Sequence, residues 1–145
     1  MSDCLFCRII DGSEPASIVM VDDHAAAFLD VRPLFHGHTL VVPREHHVTL
    51  PDLPPGEVEP FFARVQAMAR LVPEVMEATG SFVAMNNTVS QSVAHLHAHV
   101  VPRRPKDGLR GFFWPRTTYD SVDERDAVAR RLADAWRTGS GFTTR

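Results

Sequence analysis

The longest periodic pattern of apolar residues lies in the middle of the chain. Between Glu57 and Met76, apolar side chains recur three and four positions apart, with charged and small residues between them: Val58, Phe61, Phe62, Val65, Met68, Ala69, Val72, Val75 and Met76. That spacing places them on one face of an α-helix. The pattern therefore predicts one long helix, packed on a core by its apolar face and ended near Gly80.

Shorter apolar runs around this helix are typical of β-strands. Residues 17–21 and 25–29 flank the turn-forming triplet Asp22-Asp23-His24 and predict a β-hairpin. A β-branched run over 38–42 stops at Pro43, and residues 81–85 and 92–101 predict two more strands. We therefore expect an α+β fold, in which a mainly antiparallel sheet of about five strands packs with the long helix.

Two more helices are predicted at the ends of the chain. A short one over 4–11 presents Cys4 and Cys7 on one face, because residues three apart are neighbours on a helix. A final amphipathic helix starts at Asp120 or Ser121 and ends at Trp136, with four side chains expected towards the core: Val122, Ala129, Leu132 and Trp136. Before it, 104–118 reads as an ordered loop carrying Phe112-Phe113-Trp114.

Composition narrows the class of protein. A chain of 145 residues with 44% hydrophobic and 23% charged residues is typical of one globular domain. We expect a single domain over 1–145, with its core at about 4–103, a loop and helix at 104–137 and a loose tail at 138–145. The net charge of −3 disfavours nucleic-acid binding. Lacking a signal-peptide pattern or a membrane-spanning run, the chain is expected to be cytoplasmic, with no membrane partner.

The stretch most suggestive of chemistry is His95-Leu96-His97-Ala98-His99-Val100-Val101. Histidine at every second position places three imidazoles on one side of a strand and the apolar residues on the other. Neutral imidazole can act as a nucleophile, a hydrogen-bond donor or a metal ligand near neutral pH. The amides and hydroxyls of the loop 86–92 favour a phosphate site, while a metal site or a structural role is the alternative.

This stretch and several others resemble the histidine triad (HIT) family of nucleotide hydrolases and transferases. The triad matches the family form at every position, and further landmarks occur in the family order at 28–33, 37–46, Asn86 and 91–94. The resemblance covers roughly residues 4–103 and is Hint-like at Ser92 but Fhit-like at Pro102-Arg103. It implies the HIT-like α+β fold, often as a homodimer.

The resemblance also implies an activity. His97 would attack the α-phosphorus of a purine nucleoside phosphate derivative, a phosphoramidate or a dinucleoside polyphosphate, and form a nucleotidyl-histidine. His99 and His38 would complete the catalytic group. The implied nucleotide-binding residues are Asp30 for the ribose, Asn86, Gln91, Ser92 and His99 around phosphate, and Phe6, Ile9, Phe28, Leu29 and Val31 around the base. A nucleotide-binding regulatory module with little turnover is the alternative function.

A second set of residues suits a metal. Cys4 and Cys7 with His46 and His95 form the two-thiol, two-imidazole set that tetrahedral Zn²⁺ prefers. Many prokaryotic family members resemble this arrangement, which implies a structural zinc. The alternatives are two small buried thiols beside unrelated histidines, and His47 as a rival ligand.

One loop departs from the family pattern. The segment from Asn86 to Gln91 is shorter than usual and contains no glycine, the residue that lets backbone N–H groups approach a phosphate closely. Whether Asn86 or Asn87 takes the matching role is therefore open.

Overall fold

The computed structural model describes residues 3–109, 117–139 and 141–142, and the chain separates into two compact units, Met1–Asp107 and Gly108–Arg145. In the first unit the elements follow the order α1 (Leu5–Asp11), β1 (Ile18–Val21), β2 (Ala25–Leu29), β3 (Thr39–Pro43), a 3-10 turn (Leu50–Asp52), α2 (Pro55–Val75), β4 (Gly80–Ala84) and β5 (Ala98–Arg103). The strands form one antiparallel five-stranded sheet in the order β1-β2-β3-β5-β4. The predicted fold class is confirmed.

Alternate side chains of the central strands pack on opposite faces of the sheet, as the period of a strand requires. On one face, Phe61, Val65, Met68 and Val72 of α2 form the main core with Ala25, Ala27, Val41, Leu96, Ala98 and Val100. On the other face, Phe6 and Ile9 of α1 pack with Ala26, Phe28, Leu40 and Val42. Both faces of β2 and β3 are therefore buried, and α1 covers only part of its face.

The strand predicted over 92–101 is shorter than expected. β5 begins at Ala98, so His95 and His97 precede the regular ladder. The His95 N–H donates to Val93 O at 2.9 Å, which makes a tight turn, and the Leu96 N–H donates to His47 O at 2.6 Å. Leu96 is still fully buried beside Ala98 and Val100, so the predicted alternation of side chains holds although the strand pairing does not extend that far.

The long helix differs from its prediction at both ends. It runs from Pro55 to Val75, with Met76 as its C-terminal cap. Glu77 follows with a φ of 52°, so the chain reverses there. Gly80, predicted to cap the helix, is instead the first residue of β4. Gly37 lies close to the C-terminal end of α2. A Cβ at position 37 would be only 2.5 Å from Met76 Cγ.

The second unit contains the helix α3 (Val122–Gly139). The Ser121 hydroxyl accepts the Glu124 N–H at 3.0 Å, as its predicted capping role requires. The four expected core-facing residues, Val122, Ala129, Leu132 and Trp136, are exposed, and Trp136 stacks on Phe142. The predicted loop cluster Phe112-Phe113-Trp114 lies outside the described residues. Among the helices described, none has the length and apolar character needed to cross a membrane.

Candidate functional site

Two of the three triad histidines line a cavity of about 610 Å³, which we call the histidine cavity. It lies in the first unit, beside α1 and the strands β2, β3 and β5. Its lining residues are Leu5, Phe6, Ile9, Glu14, Pro15, Ala16, Phe28, Leu29, Asp30, Val31, Arg32, Leu40, Ser92, Val93, His97 and His99. All five residues expected around a base are among them.

The cavity thus has an apolar wall and a polar end. Phe6 and Phe28 meet edge to face with ring centroids 5.2 Å apart, and both are nearly fully buried. Val31, which is 90% exposed, lies at the rim. Sequence analysis missed Leu40 and Val93, which contribute to the lining from β3 and from the turn before His95. Leu40 could have been found, because it shares the alternation of His38 along the same run.

The His97 ring is held by a backbone carbonyl and by Phe6. Its Nδ1 lies 2.7 Å from His95 O, and a carbonyl oxygen only accepts, so Nδ1 carries the proton. In the neutral form of the ring, the lone pair is therefore on Nε2. Phe6 packs against this ring at a centroid distance of 5.2 Å and an interplanar angle of 89°. The His95 carbonyl and Phe6 of α1 together fix the orientation of the His97 ring, so that Nε2 is the nitrogen that carries the lone pair in the neutral form.

His99 and His38 contact each other directly. His38 Nε2 lies 2.9 Å from His99 Nδ1, across the register in which Leu40 of β3 pairs with His99 of β5. Burial, together with the neighbouring His97 and His38, lowers the pKa of His99 to about 4, against the opposing effect of the Asp30 carboxylate. Burial also lowers the pKa of His38, against the opposing effect of the Asp30 carboxylate. Both rings are therefore neutral at physiological pH.

Asp30 lies immediately after β2, as predicted. Its Oδ1 accepts the Arg32 N–H at 2.9 Å, and its Oδ2 lies 3.7 Å from His38 Nε2. The side chain is 21% exposed and lines the histidine cavity. A carboxylate in that position can accept further hydrogen bonds from a ligand.

The loop 86–91 is not part of the cavity lining. Asn86 Nδ2 donates to Ser90 O at 3.2 Å, and the Gln91 amide accepts the Thr88 N–H and donates to Val48 O. Both predicted phosphate ligands thus hold the loop in shape, and their part in phosphate binding stays a prediction. Asn87, the alternative, accepts the Leu50 N–H instead. Ser92, the next residue expected near phosphate, does line the cavity.

The loop takes left-handed backbone conformations without glycine. Thr88 has a φ of 71° and Ser90 a φ of 61°. For residues with a Cβ, such conformations cost roughly 1–2 kcal/mol each, and a β-branched residue such as Thr88 is unusual there. The backbone geometry that glycine usually supplies is therefore present, and side-chain bonds within the loop hold it.

The four residues expected to bind metal form a second cluster, which we call the Cys-His cluster. One donor atom each from Cys4, Cys7, His46 and His95 lies within 4.8 Å of the others. His95 Nδ1 is 3.5 Å from Cys4 Sγ and 3.6 Å from Cys7 Sγ, and His46 Nδ1 is 3.4 Å from Cys7 Sγ. Tetrahedral Zn²⁺ with its usual bond lengths sets sulfur and nitrogen ligands about 3.6 Å apart.

The ring orientation of His95 also suits a metal. His95 Nε2 lies 2.9 Å from Pro43 O and donates to it, so the lone pair is on Nδ1, the atom that faces the two thiols. The rival ligand His47 lies outside the cluster, with its Nε2 4.0 Å from Glu45 Oε2. The donor set and its geometry therefore fit a four-coordinate metal ion.

The fold and the site together define a class of protein: an α+β domain in which a two-faced antiparallel sheet sets a histidine cluster at one end of an apolar cavity. The sequence profile of the HIT domain matches residues 11–106. The chain belongs to the HIT family.

Relatives with known structures cover nearly the whole chain. A crystal structure of a HIT family member from Bacillus subtilis superposes with a TM-score of 0.83 at 30% identity, over 99% of this chain and 100% of the other. A Zn-bound histidine triad family protein from Mycobacterium smegmatis has 36% identity, a TM-score of 0.69, and coverage of 92% and 97%. The adenosine 5'-monophosphoramidase HNT1 of Saccharomyces cerevisiae is 29% identical over 82% of this chain and 75% of its own length.

Proposed function

We propose that this protein hydrolyses or transfers a nucleoside monophosphate group through a covalent adduct on His97. The observation that carries the proposal is the hydrogen bond from His97 Nδ1–H to His95 O, which leaves the nucleophilic lone pair on Nε2 in a residue that lines the histidine cavity. Membership of the HIT family and the phosphoramidase name of the yeast relative support this chemistry.

The reaction has two steps in this proposal. His97 Nε2 attacks the α-phosphorus of a nucleoside phosphoramidate or a dinucleoside polyphosphate, and the electron pair of the broken bond goes to the leaving group. Water then attacks the nucleotidyl-histidine and restores the neutral ring. Over the whole cycle, the hydroxyl of water ends on phosphorus and its proton on the leaving group. An acceptor other than water would give transfer instead.

The remaining cavity residues would bind the nucleotide. The apolar wall of Phe6, Ile9, Phe28, Leu29 and Val31 suits a purine base, which buries a flat apolar surface. Asp30 would accept the ribose hydroxyls, since a carboxylate offers two acceptor oxygens. Ser92 and His99 are neutral donors for phosphate oxygens at the polar end.

The test is the turnover of adenosine phosphoramidate and of diadenosine polyphosphates by the wild type and by His97→Ala. We expect the variant to lose turnover by roughly a thousandfold or more, as expected when an enzyme loses its nucleophile. It should still bind AMP in calorimetry, because the apolar wall and Asp30 are unchanged. Mass spectrometry of the stopped wild-type reaction should show a nucleotidyl adduct that the variant lacks.

His36→Ala is the matched control, because His36 is an exposed histidine outside the cavity lining. It should turn over at the wild-type rate. Equal, slow release of nucleotide by wild type and His97→Ala, with AMP still bound, would contradict the enzymatic proposal. That result would favour the alternative, a nucleotide-binding regulatory module, for which the strained loop 86–91 is the relevant departure from the family.

We further propose that the Cys-His cluster binds a structural Zn²⁺. Support comes from the donor set of two thiols and two imidazoles, the spacing of the donor atoms, and the Zn-bound relative from Mycobacterium smegmatis. With four protein ligands the ion has no open position for water, so its contribution is to join α1 to the segments after β3 and before β5.

The homodimer implied by the family resemblance stays a prediction, which sedimentation velocity of the full chain tests.

A further inference from the structure

The loop between β2 and β3 places a backbone N–H against the active-site histidines. The Leu34 N–H donates to His38 Nδ1 at 3.1 Å. The loop is closed by two further backbone bonds, from the Asp30 N–H to His38 O at 2.9 Å and from the His38 N–H to Phe35 O at 3.0 Å. Gly37, with a φ of 93°, makes the reversal that brings Leu34 back onto the His38 ring.

This bond determines which nitrogen of each ring carries a proton. A neutral imidazole has one N–H and one lone pair. Because His38 Nδ1 accepts from Leu34, its proton is on Nε2, 2.9 Å from His99 Nδ1. His99 Nδ1 must then be the acceptor, so the proton of His99 is on its Nε2.

We propose that the backbone N–H of Leu34 is a positioning group that acts through His38 to hold His99 with its proton on Nε2, available to the histidine cavity. This inference rests on the proposed function, in which His99 donates to a phosphate oxygen. In the opposite tautomer, His99 would present a lone pair to the phosphate and repel it. Leu34 and His38 are therefore positioning residues, and His99 contacts the substrate.

The hydrogen bond from the Leu34 N–H to His38 Nδ1 also argues against a metal site formed by Asp30, His38 and His99. Donor atoms of Asp30, His38 and His99 lie within 4.8 Å of one another, close enough for a cation. A neutral His38 that binds a metal through Nε2 must carry its proton on Nδ1, the atom that faces the Leu34 N–H. Two N–H groups cannot point at each other at 3.1 Å, so the cluster favours a chain of hydrogen bonds and not a metal site.

The first experiment is long-range ¹H–¹⁵N correlation NMR of the histidine rings in the substrate-free full-length protein at pH 7. The wild type should show His38 and His99 both protonated at Nε2 alone. A spectrum with either ring protonated at Nδ1 overturns the proposal. Because no substrate is present, this outcome is independent of whether the protein is an enzyme.

The second experiment removes the donor. Leu34→Pro deletes the N–H, while the matched control Leu34→Ala keeps it. We expect the tautomers of Leu34→Ala to match the wild type, and those of Leu34→Pro to become mixed at His38 and His99. With adenosine phosphoramidate, Leu34→Pro should lower kcat by roughly 10- to 100-fold at a similar KM, because a small displacement of a group that contacts the substrate can cost up to about 100-fold.

A third pair of variants covers the case in which Leu34→Pro does not fold. His38→Gln can place an amide N–H near the position of Nε2 and should keep the proton of His99 on Nε2. His38→Leu has no donor at this position, so the proton of His99 should no longer be confined to Nε2. If His38→Leu leaves the His99 tautomer unchanged, the proposal is wrong. If the tautomers behave as expected and no variant or wild type turns over nucleotide, the proposed function fails while the positioning chain stands.

Discussion

At the residue scale, each triad histidine is distinguished by the atom its ring contacts. His95 donates to Pro43 O and turns its Nδ1 to the thiols, and His97 donates to His95 O and keeps the lone pair on Nε2. His99 accepts from His38. One backbone carbonyl or one ring neighbour thus decides which nitrogen of each ring carries the proton, and the proposed roles of metal ligand, nucleophile and donor depend on that choice.

Burial of His99 makes stability depend on pH. Its pKa is about 4 in the folded protein against 6.5 for an unperturbed histidine, because burial penalises the cation. Between these values the unfolded chain binds a proton that the folded protein does not, so this contribution is present above pH 6.5 and is lost as pH falls towards 4. The lowered pKa of His38 acts in the same direction.

We expect the free energy of unfolding of the wild type, from urea denaturation, to fall over this interval. In His99→Asn the pH dependence of the free energy of unfolding should be shallower, by the equivalent of up to one proton, because that titrating ring is gone. His36→Asn, which removes an exposed histidine, should retain the wild-type slope. Parallel curves for wild type and His99→Asn would show that His99 titrates normally in the folded state.

At the element scale, α1 is connected to the sheet by two kinds of contact. Its apolar side packs Phe6 and Ile9 on β2 and β3, while the Cys-His cluster joins its N-terminal end to residues on two other segments. Phe6 also contacts the rings of His95 and His97 at centroid distances of 5.9 and 5.2 Å. A shift of α1 would therefore move both the cavity wall and His97, the proposed nucleophile.

Removal of one thiol tests the metal contribution to this arrangement. We expect Cys7→Ser to lower zinc affinity by more than roughly 100-fold, above the range for residues that only orient ligands. Zinc per chain after dialysis against a weak chelator should fall towards zero, and Tm should fall with it. His47→Asn, which changes the neighbouring histidine outside the cluster, should keep its zinc. Equal zinc content in wild type and Cys7→Ser would contradict the proposed site.

The elements differ in how far local sequence predicted them. The apolar period of α2 and the hairpin of β1 and β2 were predicted from spacing and turn residues, since those signals are local. The predicted start of β5 and the predicted end of α2 were wrong, because hydrogen bonds to residues distant in sequence determine where the strands begin. His47 O takes the Leu96 N–H, and Gly80 pairs with Arg103 as a strand residue.

At the scale of the whole molecule, all the residues of the histidine cavity and of the Cys-His cluster belong to the first unit. The HIT domain match at 11–106 ends beside the boundary at Asp107. The second unit contributes α3, whose apolar residues Val122, Leu132 and Trp136 are exposed. The expectation of one domain over 1–145 is thus open to a direct test.

A chain that ends at Asp107 should fold, because its sheet and both core clusters are complete. We expect it to bind AMP and zinc as the full chain does and to keep a cooperative thermal transition. Sedimentation of both chains would show whether the expected homodimer needs residues 108–145. Loss of AMP binding together with a non-cooperative transition would mean that the single domain extends beyond Asp107.

Sequence alone was sufficient for the fold class and for both faces of the central strands. Each of these depends on the identity and spacing of neighbouring residues, or on the family resemblance that His95 to Val101 carries. Only the tertiary structure determined which nitrogen of each imidazole carries the proton. That choice depends on acceptors such as Pro43 O and on donors such as the Leu34 N–H. Backbone groups leave no signal in a sequence, and only the folded chain brings them to the rings.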